Sequence, residues 1–277
     1  KDERIIMMCG MAAGFSALFG TPLAAAVFAM EVCSVGVMYY AAIFPCMLSS
    51  LLATLVARQL GCHPTAFSLA EVPALSYPMV PRVLALGMLC AAIAILVCTV
   101  FGVTHRFFVR YLKRPYVRIA VGGLLVVLLT LLFGTHAYNG AGMDVIARAV
   151  AGEARPEAFL LKLILTAITL GSGFKGGEIV PSFFIGATFG CFYGAFLGIP
   201  AGFAGALGMT AVFCGVTNCP LTSILLSYEL FGGDGLPLFA LCVAVSYMLS
   251  GYRGLYSEQK IMYSKYSAEF VGRRSGD

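Results

Sequence analysis

Charged residues are scarce in this sequence, and their scarcity excludes most soluble folds. They make up 11% of the 277 residues, whereas hydrophobic residues make up 60%. Soluble domains carry about 25% charged residues. No Asp, Glu, Lys, Arg or His occurs from Ile179 to Tyr228. A soluble core has no need of so long an uncharged run, whereas a membrane-spanning helix needs about 20 apolar residues.

Catalytic and metal-binding motifs are also missing. The ten cysteines are scattered through apolar runs, with no CxxC pair and no histidine at ligand spacing. They are therefore interpreted as small buried hydrophobic residues rather than as disulfides or a metal site. The sequence contains no HExxH motif and no Ser/His or paired-Asp arrangement typical of a hydrolase. We expect no enzymatic activity, no cofactor and no metal.

Long apolar runs predict an all-α, polytopic membrane protein. The runs are too long and unbroken for the roughly 10-residue strands of a membrane barrel, and helices satisfy their own backbone in lipid. A Gly-Thr-Pro break divides the first run into two short pieces, and four prolines mark residues 61–81 as an extramembrane loop. About 11 or 12 helical segments are predicted, near residues 5–19, 22–30, 38–57, 82–104, 116–135, 142–151, 158–170, 179–198, 202–217, 220–231 and 236–250, with a polar helix from about 256.

Basic residues are concentrated in two places. A cluster without any acid runs from His105 to Arg118, and Arg253, Lys260 and Lys265 belong to a second group near the C-terminus. Lys and Arg are enriched in the cytoplasmic loops of membrane proteins, so both regions are expected to face the cytoplasm. Anchoring at lipid headgroups explains the basic residues, and no nucleic-acid partner is expected.

An internal repeat organises the chain. Residues 10–31 align without gaps on residues 208–229, and the matches include a glycine, a Pro-Leu pair and the final glutamates, Glu31 and Glu229. Repeats built from short, broken helices are typical of transporters whose ion site lies at the membrane midplane. On this basis residues 1–60 are the tail of one repeat half, and residues 82–277 are the other half with a cytoplasmic C-terminal helix.

A glycine-rich loop at residues 171–178, GSGFKGGE, immediately precedes the long apolar helix predicted from Ile179. The first amides of a helix lack partners and carry a positive partial charge, so this helix start suits a small anion. Glu178 stands at the same place and either competes with the anion or takes up a proton when it arrives. Alternatively, it is a helix-capping carboxylate paired with Lys175.

Three motifs together resemble the CLC family of chloride channels and anion/proton exchangers. They are GG-x-x-x-P at residues 176–181, the paired Gly-x(11)-Pro-Leu-x(7)-Glu segments, and GYRGLYS at residues 251–257. The glutamate in GGE-x-x-P resembles the fluoride/proton antiporter branch. The resemblance implies an inverted-repeat, multi-pass protein of the cell membrane. It also implies a homodimer with one pathway per subunit for protons and fluoride or chloride.

The resemblance also assigns site residues. It implies proton coupling through Glu178 and through Glu31, which is adjacent to Val32, where the internal proton-transfer glutamate of exchangers would fall. Tyr256 would donate a hydroxyl from the side opposite the helix start, although a tyrosine of the membrane-interface belt is the alternative. Glu31 and Glu229 have a structural alternative, bonding to loop amides or to a basic side chain. The implied anion site comprises Gly177, Glu178, Ile179, Val180 and Tyr256.

Three functions follow from these observations. The leading hypothesis is a secondary transporter that exports fluoride against proton entry. A chloride channel or chloride/proton exchanger of the same fold is the alternative, and a third possibility is a chain that transports nothing as it stands. The family's external glutamate and its remaining anion-binding loop are expected upstream of residue 1.

Overall fold

Eleven α-helices form most of this chain. The computed structural model describes residues 2–62, 65–267 and 269–275. The predicted all-α architecture and its number of helical segments are confirmed within these residues. The helices are α1 (Asp2–Phe19), α2 (Pro22–Glu31), α3 (Ile43–Gln59), α4 (Met79–Tyr111), α5 (Pro115–Phe133), α6 (Met143–Val150), α7 (Ala158–Gly171), α8 (Ile179–Phe196), α9 (Ala201–Thr217), α10 (Pro220–Phe231) and α11 (Leu236–Leu249).

Four of the described helices are long and apolar enough to cross a membrane. They are α4, α5, α8, and α3 together with the short 3-10 turn that leads into it. Helices α3 and α5 leave many large apolar side chains exposed, such as Leu132 at 76%. By contrast, most of α8 is buried inside the protein. The exposed apolar faces suit contact with lipid, whereas α8 is a central element.

Helix α4 is longer than the sequence predicts. It was expected to end near residue 104, but it continues to Tyr111 and carries the first part of the basic cluster, His105, Arg106 and Arg110. The sequence offers no helix breaker before Pro115. A proline disfavours helical backbone in the residue before it, and Arg114 is accordingly extended. The helix therefore ends only where proline forces a new start.

Helices α8 and α9 pack backbone against backbone. A Cβ atom added at Gly208 would lie 2.3 Å from the carbonyl oxygen of Gly186, and one at Gly190 would lie 2.3 Å from that of Ala204. Small residues at such crossings let helices approach closely in membranes. This contact fixes the position of α8, whose first turn follows Glu178.

The internal repeat is confirmed in the backbone. Thr21 and Cys219 occupy equivalent positions, and their φ and ψ angles are −117° and 77° for Thr21 and −118° and 77° for Cys219. The residues before them are both left-handed, with φ of 72° at Gly20 and 59° at Asn218. In each copy a proline opens the following short helix, where its missing N–H is not needed. The two copies therefore share one helix–break–helix geometry.

The predicted C-terminal helix from about residue 256 is wrong. Instead β2 (Lys260–Tyr263) and β3 (Phe270–Arg274) form an antiparallel pair, and β2 also pairs in parallel with β1 (Ser34–Val35). The backbone groups of β1 offer an edge that a strand can join, and Ile261 is fully buried. Gly272, with φ of 62°, disfavours a helix at this place. Tertiary pairing therefore decides the structure of this polar segment.

The segment predicted as an extramembrane loop, residues 61–81, is irregular over most of its described length. Residues 61–62 and 65–78 contain no helix or strand, and the last positions, from Met79, belong to α4. His63 and Pro64 lie outside the described residues. The loop contacts both repeat copies, because Thr65 donates to the Phe19 carbonyl (3.2 Å) and Phe67 to the Leu230 carbonyl (3.1 Å).

Candidate ion site

The start of α8 presents unpaired backbone amides. The first helical bond runs from the Ser182 amide to the Glu178 carbonyl at 3.2 Å. Within the described residues, the amides of Ile179 and Val180 donate to nothing, and Pro181 has no N–H to donate. Because free amides at a helix start point out along the helix axis, the first turn of α8 offers two donors to a ligand.

The loop before α8 is held in place by the basic cluster. Gly173 is left-handed, with φ of 103°, and a side chain there would lie 3.1 Å from a guanidinium nitrogen of Arg118. The Arg118 Nε donates to the Ser172 carbonyl at 3.1 Å. Arg118, on α5, therefore fixes the chain just after α7 and helps set the path of the glycine-rich loop.

A cavity of about 650 Å³ lies in front of this loop. Its walls come from α4, the end of α7, Glu178, residues 253–255, Ser257 and Ser275. Glu178 is the one acidic residue among the described residues that line the cavity. The basic residues in the same lining are His105, Arg106 and Arg253. The predicted helix-start carboxylate thus faces a cavity whose other charges are basic.

The Glu178 side chain makes no hydrogen bond and no ion pair within the described residues. It precedes α8 without capping it through its side chain, and Arg274 with Glu258 is the ion pair found among those residues. Lys175 is exposed and does not approach the Glu178 carboxylate within ion-pair distance. The alternative interpretation of Glu178 as a capping residue paired with Lys175 is therefore not what the structure shows.

Tyr256 lies beside the cavity but is not one of its lining residues. Its neighbours Leu255 and Ser257 line the cavity, as Glu178 does. The ring packs against the main hydrophobic core, and the hydroxyl has no hydrogen-bond partner among the residues described. The Leu255 amide donates to the Val216 carbonyl at 2.8 Å, which anchors the segment to the end of α9.

The remaining predicted anion residues occupy different surroundings. Gly177 is exposed, and a Cβ added there would meet nothing within 4 Å. Ile179 and Val180 are half-buried, and their side chains pack against the main core. These three residues therefore offer backbone groups rather than polar side chains at the start of α8.

Glu31 lies elsewhere, at the start of α10. One carboxylate oxygen accepts from the Leu221 amide at 3.0 Å. The other accepts from the Thr222 amide at 2.8 Å and the Thr222 hydroxyl at 2.6 Å. The side chain is buried and does not line the cavity. This geometry is that of a helix cap supplied by another helix.

Glu229 caps α2 in the reciprocal way. Its two carboxylate oxygens accept from the Leu23 amide at 2.9 Å and the Ala24 amide at 2.8 Å. Leu23 and Leu221 are equivalent in the repeat, as are Glu31 and Glu229. Each short helix therefore places its glutamate on the first turn of the other, so α2 and α10 lie antiparallel. The structural alternative proposed for this pair accounts for these contacts.

The C-terminal segment is anchored by residues that the sequence analysis did not single out. Gln259 donates to the carbonyls of Val32 (2.9 Å) and Thr217 (2.8 Å) and accepts from Asn218 (2.9 Å). Lys265 donates to the Asn218 side-chain oxygen at 2.6 Å. Burial lowers the pKa of the Lys265 ammonium to about 8. One signal was available, because Asn218 replaces Gly20 at the left-handed position of the repeat.

A second overlooked residue is the buried lysine of α7. Lys162 is 2% exposed. Its ammonium donates to the Tyr138 carbonyl at 3.2 Å and the Gly140 carbonyl at 2.5 Å, and it lies 5.0 Å from the ring centroid of Phe184. Lys162 could have been noticed in the sequence as the one charged residue of α7.

Phe183 and Phe184 of α8 are packing residues. The Phe183 ring packs against Phe19 of α1 and Phe213 of α9, and the Phe184 ring packs against Lys162.

Known proteins resemble this chain in sequence. Residues 1–251 match the family model described as voltage gated chloride channel. A chloride/fluoride channel protein of Pseudomonas syringae pv. tomato is 35% identical over 272 residues, which cover 96% of this chain and 60% of that protein. The voltage-gated ClC-type chloride channel ClcB of Escherichia coli O9:H4 is 31% identical over 248 residues, covering 84% of this chain and 58% of that protein. The chain thus spans 60% or less of these relatives.

Solved structures resemble the chain in fold. A CLC-type fluoride/proton antiporter superposes with a TM-score of 0.89 at 32% identity, covering 93% of this chain and 65% of that one. A eukaryotic CLC transporter superposes with a TM-score of 0.72 at 22% identity, covering 91% and 45%. With the helix breaks, the repeat and the α8 start already described, these matches identify the family. The chain belongs to the voltage-gated chloride channel family, the CLC family of membrane proteins.

Proposed function

We propose that this protein exports fluoride in exchange for protons and that Glu178 takes part in both movements. The observation that carries the proposal is the unpartnered Glu178 carboxylate, which lies beside the free amides of α8 and faces the cavity. An ionisable group at a broken helix within a membrane protein marks an ion or proton pathway by default. The relative named as a chloride/fluoride channel and the antiporter of similar fold support fluoride as the anion.

The anion is proposed to bind at the first turn of α8. The amides of Ile179 and Val180 supply donors from one side, Gly177 leaves the approach open, and the Tyr256 hydroxyl supplies a donor from the other. These donors are worth more in a poorly hydrated protein interior than in water, because electrostatic attraction grows as the local dielectric falls. A small anion with a high charge density gains most from such donors.

Proton coupling is proposed to occur at Glu178 rather than at Glu31. A bound anion disfavours a neighbouring carboxylate charge and so promotes its protonation. Because the Glu178 side chain has no hydrogen-bond or ion-pair partner among the described residues, its protonation would break no existing contact. Glu31 instead accepts three hydrogen bonds from the first turn of α10, and a proton there would disrupt them. The resemblance-based assignment of Glu31 to the proton route thus receives no support from its contacts.

The test uses the full-length protein reconstituted in liposomes. A fluoride gradient should drive proton uptake in the wild type, and Glu178→Gln should abolish that coupled proton movement. The matched control is Glu157→Gln, because Glu157 also precedes a helix without capping it, yet its side chain is exposed and outside the cavity. Unchanged fluoride-driven proton uptake in Glu178→Gln would remove Glu178 from the exchange.

Chloride transport is the second candidate, favoured by the chloride named in both sequence relatives. Flux of each halide should be measured with and without a proton gradient, in the wild type and in Tyr256→Phe. The proposal expects fluoride to be preferred, and expects loss of the Tyr256 hydroxyl to weaken that preference. Equal chloride flux without proton movement would indicate a channel, and no flux of either ion would contradict transport altogether.

The orientation and assembly expected from the sequence are also proposals. The basic cluster on α4 and α5 and the C-terminal strands are inferred to face the cytoplasm, because cytoplasmic loops carry an excess of Lys and Arg. A homodimer with one pathway in each subunit is inferred from the family. Labelling of single cysteines from either side of the membrane, and cross-linking in native membranes, test these two inferences.

A further inference from the structure

A second cavity, of about 490 Å³, lies between the end of α5, helix α6 and the start of α7. Its wall includes Thr135, Arg148 and residues 152–155, and it shares no lining residue with the cavity in front of Glu178. Its volume falls within the roughly 300–1,000 Å³ of small-molecule pockets. Helix α5 begins in the basic cluster and is long enough to cross the membrane before it ends at Gly134. The second cavity therefore lies at the membrane face opposite the basic cluster.

Three charged side chains line the second cavity without a partner in the described part of the chain. Arg148, Glu153 and Arg155 are exposed in its wall, and their side chains form no ion pair and no hydrogen bond with the residues described. At the start of α4, on the same membrane face, Arg82 does have a partner, because its guanidinium donates to the Gly198 carbonyl at 2.9 Å. Two cations and one anion thus remain available in one cavity for a ligand that carries charges of both signs.

An exposed apolar stripe on α5 leads towards the second cavity. Gly122 and Thr130 are the two buried residues of α5. The large apolar side chains along one face of its second half are exposed, namely Leu124, Val127, Leu128, Leu131 and Leu132. Leu132 is three residues before Thr135, which lines the cavity. An apolar chain attached to a ligand in the cavity therefore has an exposed apolar surface beside it.

The inner wall of the second cavity is fixed by buried contacts. The Lys162 ammonium donates to the carbonyls of Tyr138 (3.2 Å) and Gly140 (2.5 Å), which ties the turn after α5 to α7. The Tyr138 ring, which lines the cavity, lies 6.3 Å from the Phe184 ring of α8. A ligand in this cavity therefore rests on a turn that is anchored to two helices. Its binding should stabilise the folded protein, because a ligand that binds only the folded state shifts the unfolding equilibrium.

We propose that the second cavity binds the headgroup of a phospholipid that carries both a phosphate and a primary ammonium, such as phosphatidylethanolamine. The phosphate pairs with Arg148 and Arg155, because guanidinium groups bind phosphate oxygens through paired N–H donors. The ammonium pairs with the Glu153 carboxylate, and an acyl chain lies along the apolar stripe of α5. A lipid that carries only the phosphate charge leaves Glu153 without a counter-ion. This lipid site is independent of the ion exchange proposed above.

The first test measures lipid binding to the delipidated full-length protein by native mass spectrometry. Phosphatidylethanolamine is titrated, and the affinity for the first bound lipid is compared between variants. The double variant Arg148→Gln/Arg155→Gln should bind about tenfold or more weakly, since each basic residue near a lipid headgroup contributes about fivefold. Arg148→Lys/Arg155→Lys should retain most of the affinity because it keeps both charges. Arg58→Gln is the matched control, because Arg58 ends α3 on the same membrane face and lies outside the cavity lining.

The second test isolates the ammonium of the headgroup. The wild type should bind phosphatidylethanolamine about threefold more tightly than phosphatidylglycerol of the same chain length, as expected for one exposed ion pair. Glu153→Gln should abolish this preference. Glu157→Gln should keep it, because Glu157 is also exposed but does not line the cavity. Phosphatidylcholine should bind more weakly than phosphatidylethanolamine, since its quaternary ammonium has no N–H to donate.

The third test measures the thermal midpoint with and without lipid. Without lipid, the wild type and the double glutamine variant should agree within about 2 °C, because both arginines are exposed and a surface substitution changes stability little. Phosphatidylethanolamine should raise the midpoint of the wild type by about 3 °C or more and that of the variant by less than about 1 °C. An equal rise in both proteins would show that the lipid stabilises them at another place, and would contradict the site.

The outcomes separate the lipid site from the proposed function. Equal affinity for phosphatidylethanolamine in the wild type and in Arg148→Gln/Arg155→Gln overturns the lipid site, whether or not the protein transports fluoride. Tighter binding of phosphatidylglycerol, or a lipid preference unchanged by Glu153→Gln, overturns the assignment of the headgroup. A protein that moves no fluoride but binds phosphatidylethanolamine through these three residues supports the lipid site and contradicts the proposed exchange.

Discussion

Glutamates stand at helix starts in two different ways in this protein. Glu31 and Glu229 each lie on the first turn of a helix from the other repeat copy, where both carboxylate oxygens accept amide bonds. Glu178 lies at the start of its own helix, and its carboxylate accepts no hydrogen bond from the described residues. A glutamate carboxylate therefore caps the starts of α2 and α10, whereas the start of α8 has no side-chain cap among the described residues. We call the start of α8 the open helix start.

The difference follows from where the partner helix lies. Helices α2 and α10 are antiparallel neighbours, so each supplies a carboxylate to the free amides of the other. These hydrogen bonds link the two repeat copies. Within the described residues no side chain accepts from the first amides of α8, and Glu178, which precedes them, lines the cavity. We infer that the capped starts are structural and that the open start is functional.

The largest loss of stability is expected from Glu31→Ala. This change leaves the buried Thr222 amide and hydroxyl, and the partly buried Leu221 amide, without acceptors. Each unsatisfied buried donor costs about 1–3 kcal/mol, so the free energy of unfolding should fall by about 3 kcal/mol or more. Denaturation of the purified protein in detergent measures the loss. A loss below about 1 kcal/mol would mean that this cap contributes little.

A smaller loss is expected from Glu229→Ala. Its carboxylate accepts two hydrogen bonds, one fewer than that of Glu31, and its side chain is half-buried, so water reaches the amides that it leaves behind. The expected cost is about 1–2 kcal/mol, as for the loss of an ordinary helix cap. The same denaturation experiment compares it with Glu31→Ala. A greater loss for Glu229→Ala would reverse the ranking that burial predicts.

The smallest effect is expected from Lys175→Gln. Lys175 adjoins the open helix start, but it is exposed and forms no ion pair within the described chain. Stability should change by no more than about 0.5 kcal/mol, as for an ordinary surface substitution. Coupled proton uptake should also persist. Loss of that uptake would show that Lys175 and Glu178 act as a pair, in contradiction to their observed separation.

Local sequence signals predicted most of the helices. Prolines and glycines marked the breaks at Gly20 to Pro22 and at Cys219 to Pro220, and the repeat followed from fixed spacing. The length of α4 was underestimated because basic residues were taken as a boundary, although they do not break a helix. The C-terminal strands were missed because their stability depends on pairing with β1, about 225 residues away in the sequence, and such pairing leaves little local signal.

The candidate site was only partly predictable. A glutamate after two glycines and before an apolar helix indicated an unusual helix start, and the structure shows that start to be open. The partners of Glu31 could not be predicted from the sequence. Glu31 ends α2, but it caps α10, which is about 190 residues away in the sequence, and nothing in the local sequence indicates which helix lies opposite. The same holds for Arg253, whose guanidinium donates to the Thr99 hydroxyl of a helix that is distant in the sequence.

One paired measurement tests the distinction between open and capped glutamates most directly. Fluoride-driven proton uptake and the thermal midpoint should be measured together in Glu178→Gln and Glu31→Gln. Glu178→Gln should lose coupled proton uptake while its midpoint stays within about 3 °C of the wild type. Glu31→Gln should lower the midpoint and keep the ratio of protons to fluoride. Retained proton uptake in Glu178→Gln, or its loss in Glu31→Gln at an unchanged midpoint, would contradict the assignment.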